Sequence, residues 1–421
     1  MKKEYNKGIT YIFYRNFQKT QEEGDDMDVI GVVGEFNPFH LGHYDHFAQS
    51  RTRCGADAPI VCVMSGDFVQ RGSPAVFDKH ARAEAAARCG ADLVFELPLP
   101  WCVSSAERFA LGAVGLLDSL GVVTHLSFGS EIGDLAPLTA LALAADEPEN
   151  IEKIKHRLGE GMSFAAAREM VLHETLGAEA RLLETPNNVL GVEYLKALFR
   201  LDSSMVPMTT ARAGAPHDSV TNGPKRSAKQ LRSMMEAGED ISAYMPAGAR
   251  SMPVEQTADG HGPVTMASLE EAILSRLRML DAEDFAALPD ATEGLGNRLY
   301  RAVCTEPSVG AILSAVKTKR YPLSRLRRML MCAALGVRAD TGGERPGYAR
   351  LLASTERGRA LLKEVNGIPV ITKPAAARDL PEADREIFAL TAKARDFYVL
   401  GYEAIEERRG GTDWRTSPAT L

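Results

Sequence analysis

The chain has 421 residues, a formal net charge of −7, and 45% hydrophobic and 25% charged residues. That balance excludes a disordered chain and leaves room for two or three domains. No stretch approaches ~18 consecutive apolar residues, so no membrane span is expected. A net-acidic chain has no global attraction for nucleic acid, and any RNA surface must be a local basic patch.

The opening, MKKEYNKGITYIFYRNFQ, lacks the continuous apolar core of a secretory signal. Residues 1–27 read as a flexible extension. Residues 28–35 (DVIGVVGE) then read as a buried strand and 42–54 as a helix. IVCVM at 60–64 is a second strand, followed by an Ala-rich helix at 78–90 that closes on Gly90. ADLVFELP at 91–98, a serine-capped helix at 104–121 and VVTHLSFG at 122–129 continue the alternation. Strands alternating with helices predict a parallel sheet, and their continuous apolar character predicts burial on both faces. The fold class expected is α/β: an N-terminal Rossmann-like parallel-sheet domain over 28–220.

Beyond residue 134 helices are expected at 134–145, 149–158, 163–176 and 188–200, with a return to the sheet at 205–209. From about 225 onward the pattern is mainly helical: 225–237, 267–280, 293–304, 308–316 and 322–335. The Gly/Pro/Ala-rich stretch 238–265 reads as loop. VNGIPVITK at 365–373 reads as a turn into a strand, and a last helix is expected near 381–397. A helical region over 221–400 and a polar tail over 401–421 complete the division. The six cysteines, at 54, 62, 89, 102, 304 and 332, include no Cys-x-x-Cys pair. They read as reduced thiols of a cytoplasmic protein.

In parallel α/β sheets ligands bind beyond the carboxyl ends of the strands. The first strand runs directly into Glu35-Phe36-Asn37-Pro38-Phe39-His40-Leu41-Gly42-His43. Gly42 allows a close approach to the backbone, and the free N–H groups and dipole of a helix start favour a phosphate. Two imidazoles three positions apart share a helix face and can donate to phosphate oxygens as charge builds on them. The same pair is compatible with a zinc site, though no third ligand is close in sequence, and with a structural role.

Further along, Ser65-Gly66-Asp67 and Gln70-Arg71 follow the second strand, and Arg71 could fork onto a phosphate. Gly129 follows the fourth strand, where a nucleotide could approach the backbone. Asn187 and Asn188 open a helix, where asparagine also serves as a cap. The segment 317–328 carries Lys319, Arg320, Arg325 and Arg328 among six basic residues and no acidic one. Lys225, Lys229 and Arg232 belong to a second basic stretch. Either could neutralise RNA phosphates or simply form a solvated helix face.

The wider text resembles one family. Asn37-Pro38-Phe39-His40-Leu41-Gly42-His43 looks like the signature of the HxGH nucleotidyltransferase superfamily. Val63-Met64-Ser65-Gly66-Asp67-Phe68-Val69-Gln70-Arg71-Gly72, Phe77-Asp78-Lys79, Glu96-Leu97-Pro98, Ser127-Phe128-Gly129-Ser130-Glu131 and Pro186-Asn187-Asn188 are similar to the bacterial tRNA(Met) cytidine acetate ligases. Arg212, His217-Asp218, Ser227-Ala228, Arg232 and Lys319-Arg320-Tyr321 extend the likeness, which spans roughly 28–400. The sequence departs from the family pattern at Phe36, Leu41, Asp67 and Pro216. Asp67 brings a carboxylate to a rim where anions are expected.

The resemblance implies a ligase that activates acetate with ATP as acetyl-adenylate. It then acetylates N4 of the wobble cytidine, position 34, of elongator tRNA(Met), without acetyl-coenzyme A. It implies catalysis by His40 and His43, with ATP held by the run Val33-Gly34-Glu35-Phe36-Asn37-Pro38-Phe39-His40-Leu41-Gly42-His43-Tyr44-Asp45-His46 and by Gly129, Asn187, Asn188 and Arg212. Mg2+ is expected with the ATP phosphates. Lys225, Lys229, Arg232, Lys319, Arg320, Arg325 and Arg328 are the residues expected to hold tRNA. Two other classes compete: a small-molecule adenylyltransferase of the same superfamily, and an RNA-binding protein with a relic site. The long helical half with its basic stretches disfavours the former, and retention of both histidines disfavours the latter.

Overall fold

The computed structural model describes residues 27–212 and 225–421. Four strands form at the apolar runs expected: β1 (Ile30–Gly34), β2 (Ile60–Ser65), β3 (Leu93–Leu97) and β4 (His125–Ser130). The return to the sheet at 205–209 is also made, by β5 (Val206–Ala211). These five are parallel in the order β3-β2-β1-β4-β5. The chain reverses direction across the sheet between β1 and β4, so the crevice for a ligand opens beyond the end of β1.

The helices α1 (Leu41–Cys54), α2 (Lys79–Arg88) and α3 (Ala106–Ser119) connect the first four strands. Side chains alternate across each strand, and here both sets meet a helix layer. From β2, Val61 and Val63 pack with Phe109, Val114 and Leu117 of α3. Cys62 and Met64 pack on the other face with Phe47 of α1 and Ala83 and Ala86 of α2. Four helices, α4 (Leu135–Ala145), α5 (Pro148–Gly159), α6 (Phe164–Leu176) and α7 (Pro186–Arg200), lie between β4 and β5 in the chain. After the gap, α8 (Ala228–Glu236) leads to a helical lobe containing α9 (Glu270–Arg278), α10 (Leu295–Thr305), α11 (Val309–Val316) and α12 (Leu323–Leu335). The lobe has its own core around Ile273, Phe285, Leu299, Ile312 and Leu330.

Two features differ from what the sequence pattern predicts. The stretch 238–265 is not all loop, since Met252–Ala258 is helical. The sheet also does not end at residue 220. β6 (Ala349–Ser354), entirely buried, pairs antiparallel with β3, and β7 (Val370–Ile371) and β8 (Ala419–Thr420) pair with β6. The last helix, α13 (Glu382–Tyr398), returns the chain toward this edge.

The end of the chain is tied down by charge. Lys79 Nζ lies 2.8 Å from Glu96 Oε1 and 2.9 Å from Asp413 Oδ2. Arg350 grips Asp413 through both nitrogens, at 2.5 and 2.9 Å, and reaches Glu96 Oε2 at 3.3 Å. All four side chains are at most 3% exposed. The polar tail expected over 401–421 is anchored, because Asp413 is a member of a neutral buried quartet and the Trp414 ring packs at a tilt against Phe388, 4.8 Å between centres. Burial alone would raise the Asp413 carboxyl, but Lys79 and Arg350 more than reverse this and hold it well below the usual carboxylate range.

Removing one member leaves a buried charge unpaired. Asp413→Ala is expected to cost about 3–5 kcal/mol. Arg88→Ala, which breaks an exposed pair with Glu84, should cost less than about 1 kcal/mol. Urea unfolding of the two variants checks this, and equal small losses would refute the role given to the quartet.

Candidate nucleotide site

β1 ends at Gly34, and Glu35–Phe39 carry the chain into the start of α1. His40 is the N-cap. Its Nδ1 accepts from the Gly42 N–H at 3.0 Å, and His43 Nδ1 accepts from the His40 N–H at 3.3 Å. Each imidazole thus satisfies a backbone donor that a helix start leaves free. A ring accepting at Nδ1 carries its proton on Nε2, so both histidines present Nε2–H groups. The rings lie 3.9 Å apart, centre to centre. His40 Nε2 is buried and has no protein partner. Gly42 is required by contact: a Cβ there would come within 2.7 Å of His40 Cε1.

Burial, with the charges of Arg212 and Arg232, pushes His40 down from about 6.5 to about 3. Burial and then His40, Arg212 and His46 hold His43 well below its ordinary value. His46, one turn on, bonds Thr210 Oγ1 through Nδ1 at 2.9 Å and lies 3.3 Å from Ser127 Oγ through Nε2. Burial, set against a Ser127 hydrogen bond that raises it, lowers His46 to about 4. The motif is therefore neutral at physiological pH: it offers donors, not cations. No third His, Cys, Asp or Glu atom joins His40 and His43 within metal-ligating reach among the described residues, so the zinc reading of the motif lacks a ligand set.

The rest of the run divides into support and rim. Phe36, at φ 45° in the left-handed region, packs with Phe39, Phe47 and His43 beneath the motif, and its ring covers Gly34. Asn37 Oδ1 accepts from Val76 N–H at 2.9 Å, and Glu35 Oε1 from Gln70 N–H at 2.9 Å. Pro38 is buried, Val33 and Leu41 are half-buried and Tyr44 is exposed. Asp45 pairs with Lys225 at 2.5 Å.

Sequence reasoning missed the residue that holds this turn. Arg82, fully buried in α2, donates to the carbonyls of Glu35, Ser65, Gly66 and Phe77. It joins the carboxyl ends of β1 and β2. The sequence signal was an arginine on the alanine-rich face of α2, beside Ala83, Ala85 and Ala86.

Across the crevice, Glu131 accepts at the start of α7 from the N–H groups of Asn187 and Asn188, at 3.3 and 2.8 Å. Asn188 is fully engaged: its Oδ1 takes the Glu131 and Ile132 N–H groups, and its Nδ2 donates to Thr185 Oγ1. Asn187 instead bridges Glu131 and Arg212. The cap of α7 is Thr185, not either asparagine. Gly129 lies under the stem of Arg212, whose Cγ would be 3.0 Å from an added Cβ. The exposed Arg212 is thereby carried out over the crevice.

The basic candidates separate. Arg232 donates to Asn37 O at 2.8 Å and influences His40, so it stands at the histidine motif. Lys225 does likewise through Asp45, and Lys229 lies between them on α8. Lys319 is exposed, whereas Arg320 pairs with Glu293, Arg325 donates to Asp290 O and Arg328 pairs with Asp290. This second group is not remote, because Gly72 lies against the backbone of Arg327 and Arg328 and Arg71 beside it is exposed. Asp67 does not oppose an anion freely: it accepts from Lys79 N–H and pairs with Arg395 at 3.1 Å. Pro216, His217 and Asp218 lie outside the described residues.

A parallel sheet with a phosphate-type helix start, twin Nε2–H donors and two arginines defines a nucleotidyltransferase-type site. The family model for HIGH nucleotidyl transferases matches residues 27–413. A tRNA(Met) cytidine acetate ligase of Caldanaerobacter subterraneus subsp. tengcongensis is 38% identical over 82% of this chain and 88% of its own. That of Acetivibrio thermocellus is 34% identical over 88% of this chain and 94% of its own. Two crystal structures of Thermotoga maritima TmcAL, 33% identical and covering 94% of this chain and all of theirs, superpose with TM-scores of 0.88 and 0.87. The first is an apo form and the second is bound with alpha-thio ATP. The chain belongs to the tRNA(Met) cytidine acetate ligase family.

The lowered histidines make a pH prediction. The unfolded chain binds protons near pH 6.5 while the fold resists them down to about 4 for His46 and about 3 for His40. Stability should therefore fall as pH drops below about 6.5, by up to about 1.4 kcal/mol per pH unit for each histidine. Urea midpoints between pH 7.5 and 5 measure this, and His40→Gln should flatten the slope.

Proposed function

We propose that this protein is an ATP-dependent ligase that acetylates a cytidine of tRNA(Met). Its family membership supports this, as does one observation above the others: the paired neutral Nε2–H donors of His40 and His43, with Arg212 and Arg232 beside them. Such donors strengthen their hold as negative charge grows on the phosphates. They gain little on an unreacted ligand, which favours catalysis over mere binding.

The chemistry runs in two steps. A carboxylate oxygen of acetate attacks the α-phosphorus of ATP, and the bond to the β-phosphate bridging oxygen breaks, giving acetyl-adenylate and pyrophosphate. The N4 amine of the wobble cytidine then attacks the acetyl carbon, AMP leaves, and the amine loses a proton. Arg212 and Arg232 neutralise the departing pyrophosphate, and His40 and His43 donate hydrogen bonds to it. Asn187 orients Arg212, and Asn188 holds the loop that carries Glu131. Acetyl-coenzyme A has no part. Mg2+ bound with ATP would be held mainly by the phosphate oxygens and supply charge neutralisation there; Asp45 is paired with Lys225, and Glu35 Oε1 accepts from the Gln70 N–H.

For tRNA we infer a surface running from the crevice rim at Arg71 to Lys319 and Arg327, on either side of the Gly72 contact. Arg320 and Arg328, ion-paired, and Arg325, bonded to the Asp290 carbonyl, support it by fixing the start of α12. Cytoplasmic action fits this substrate, and no described helix is long and apolar enough to cross a membrane.

Two outcomes test this. His43→Ala should lower acetate-dependent pyrophosphate exchange by ~10²–10³ with folding retained, and full exchange would remove His43 from the mechanism. With wild-type protein, labelled acetate plus ATP should label a single anticodon cytidine with release of AMP. Labelling from acetyl-coenzyme A alone would overturn the reaction. Separately, replacing Lys319 and Arg327 by alanine should reduce the salt slope of tRNA binding by roughly one unit for each phosphate no longer neutralised. Exchange without tRNA should be unchanged, and equal damage to both steps would move the tRNA surface elsewhere.

A further inference from the structure

At the opposite end of the sheet from the nucleotide site, three metal-binding side chains converge. Asp28 precedes β1, His125 opens β4 and Cys54 ends α1. One ligand atom from each lies within 4.8 Å of the other two. Asp28 Oδ1 is 3.6 Å from His125 Nδ1. Zinc bonds of about 2.0–2.3 Å set at the tetrahedral angle put two ligand atoms roughly 3.3–3.8 Å apart, so the Asp28–His125 separation already fits and movements of up to about 1 Å close the rest of the set. We propose that Asp28, Cys54 and His125 form a binding site for one divalent ion of the zinc class.

The donor set selects the ion. Thiolate, imidazole and carboxylate together suit zinc, whereas Mg2+ and Ca2+ take all-oxygen shells. The thioether of Met208, 3.8 Å from Cys54 Sγ, adds a soft neighbour. Thr124 Oγ1, which accepts from the Val29 N–H, lies 2.8 Å from His125 Nδ1 and holds the imidazole beside Asp28; this contact would give way to the ion if Nδ1 is the ligating nitrogen. The imidazole is 16% exposed and the carboxylate 36%, so solvent can supply a fourth ligand.

The three residues come from different elements, and none is explained by the nucleotide site, about 17 Å away along β1. An aspartate–histidine pair alone would account for two of them; the thiol is the observation it leaves over. The ion would join the end of α1 to the starts of β1 and β4, the two strands that flank the crevice. Its role is structural, since binding to the folded form stabilises it by mass action.

Cobalt(II) is the probe, because a thiolate-to-cobalt charge-transfer band reports sulfur ligation that the three histidines of the nucleotide motif cannot produce. Metal-free full-length protein should develop that band, saturating at one equivalent, and zinc should displace it. Cys54→Ser should abolish the band, whereas Cys304→Ser, at an exposed cysteine, should keep it. Circular dichroism confirms that both variants fold. In the wild type, zinc should also protect Cys54 from alkylation, a reading that needs no variant. Absence of the band at one equivalent, its persistence in Cys54→Ser, or alkylation of Cys54 unchanged by zinc would each overturn the site.

Discussion

The buried quartet of Lys79, Glu96, Arg350 and Asp413 is the constraint on which the architecture rests. Four charges cannot leave water singly. Each is tolerable only because the other three arrive from α2, β3, β6 and the last residues of the chain. The quartet makes the edge of the N-terminal sheet and the far end of the sequence one structure. β6 lies antiparallel on β3 with Arg350 at its second position, and the described chain from residue 225 to 348 is thereby a long insertion that must fold beside the sheet. The helical lobe is held against the crevice from both ends.

A second buried cation carries this order to the chemistry. Arg82 is one turn from Lys79 on α2, and it collects the carbonyls at the ends of β1 and β2. The turn it secures delivers His40 to the head of α1. There the capping bonds set the tautomer, and burial with neighbouring arginines keeps the rings neutral. A site made of neutral donors and separate arginines divides two tasks. The arginines supply the attraction for a polyanion, and the imidazoles supply directed hydrogen bonds whose strength grows with the charge that reaction places on them.

The cationic residues show how a linear basic run differs from a surface. Arg320, Arg325 and Arg328 are spent on Glu293, Asp290 and the carbonyls around them, while Lys319 alone of the named four is exposed. Arg232, from the other basic run, is drawn to the back of the histidine motif by the Asn37 carbonyl. Charge counted along the chain overstates what RNA can meet, because acidic partners come from loops distant in sequence.

Much of this protein could be read from its sequence. The five parallel strands, the helices between them and the His40–His43 device obey local rules: apolar runs, caps, and glycine where an imidazole crosses the backbone. Periodicity and helix-start chemistry act over a few residues, so a few residues suffice to reveal them. The tertiary structure alone decided the rest. β6 was illegible because a strand carrying Arg350 is stable only once Glu96 and Asp413 meet it. Arg82, the bridging role of Glu131 and the engagement of Asn188 were hidden for the same reason, as was the neutralisation of Asp67 by Arg395. In each case a buried polar group is matched by a partner distant in sequence, and burial makes that partner obligatory without any local pattern to announce it.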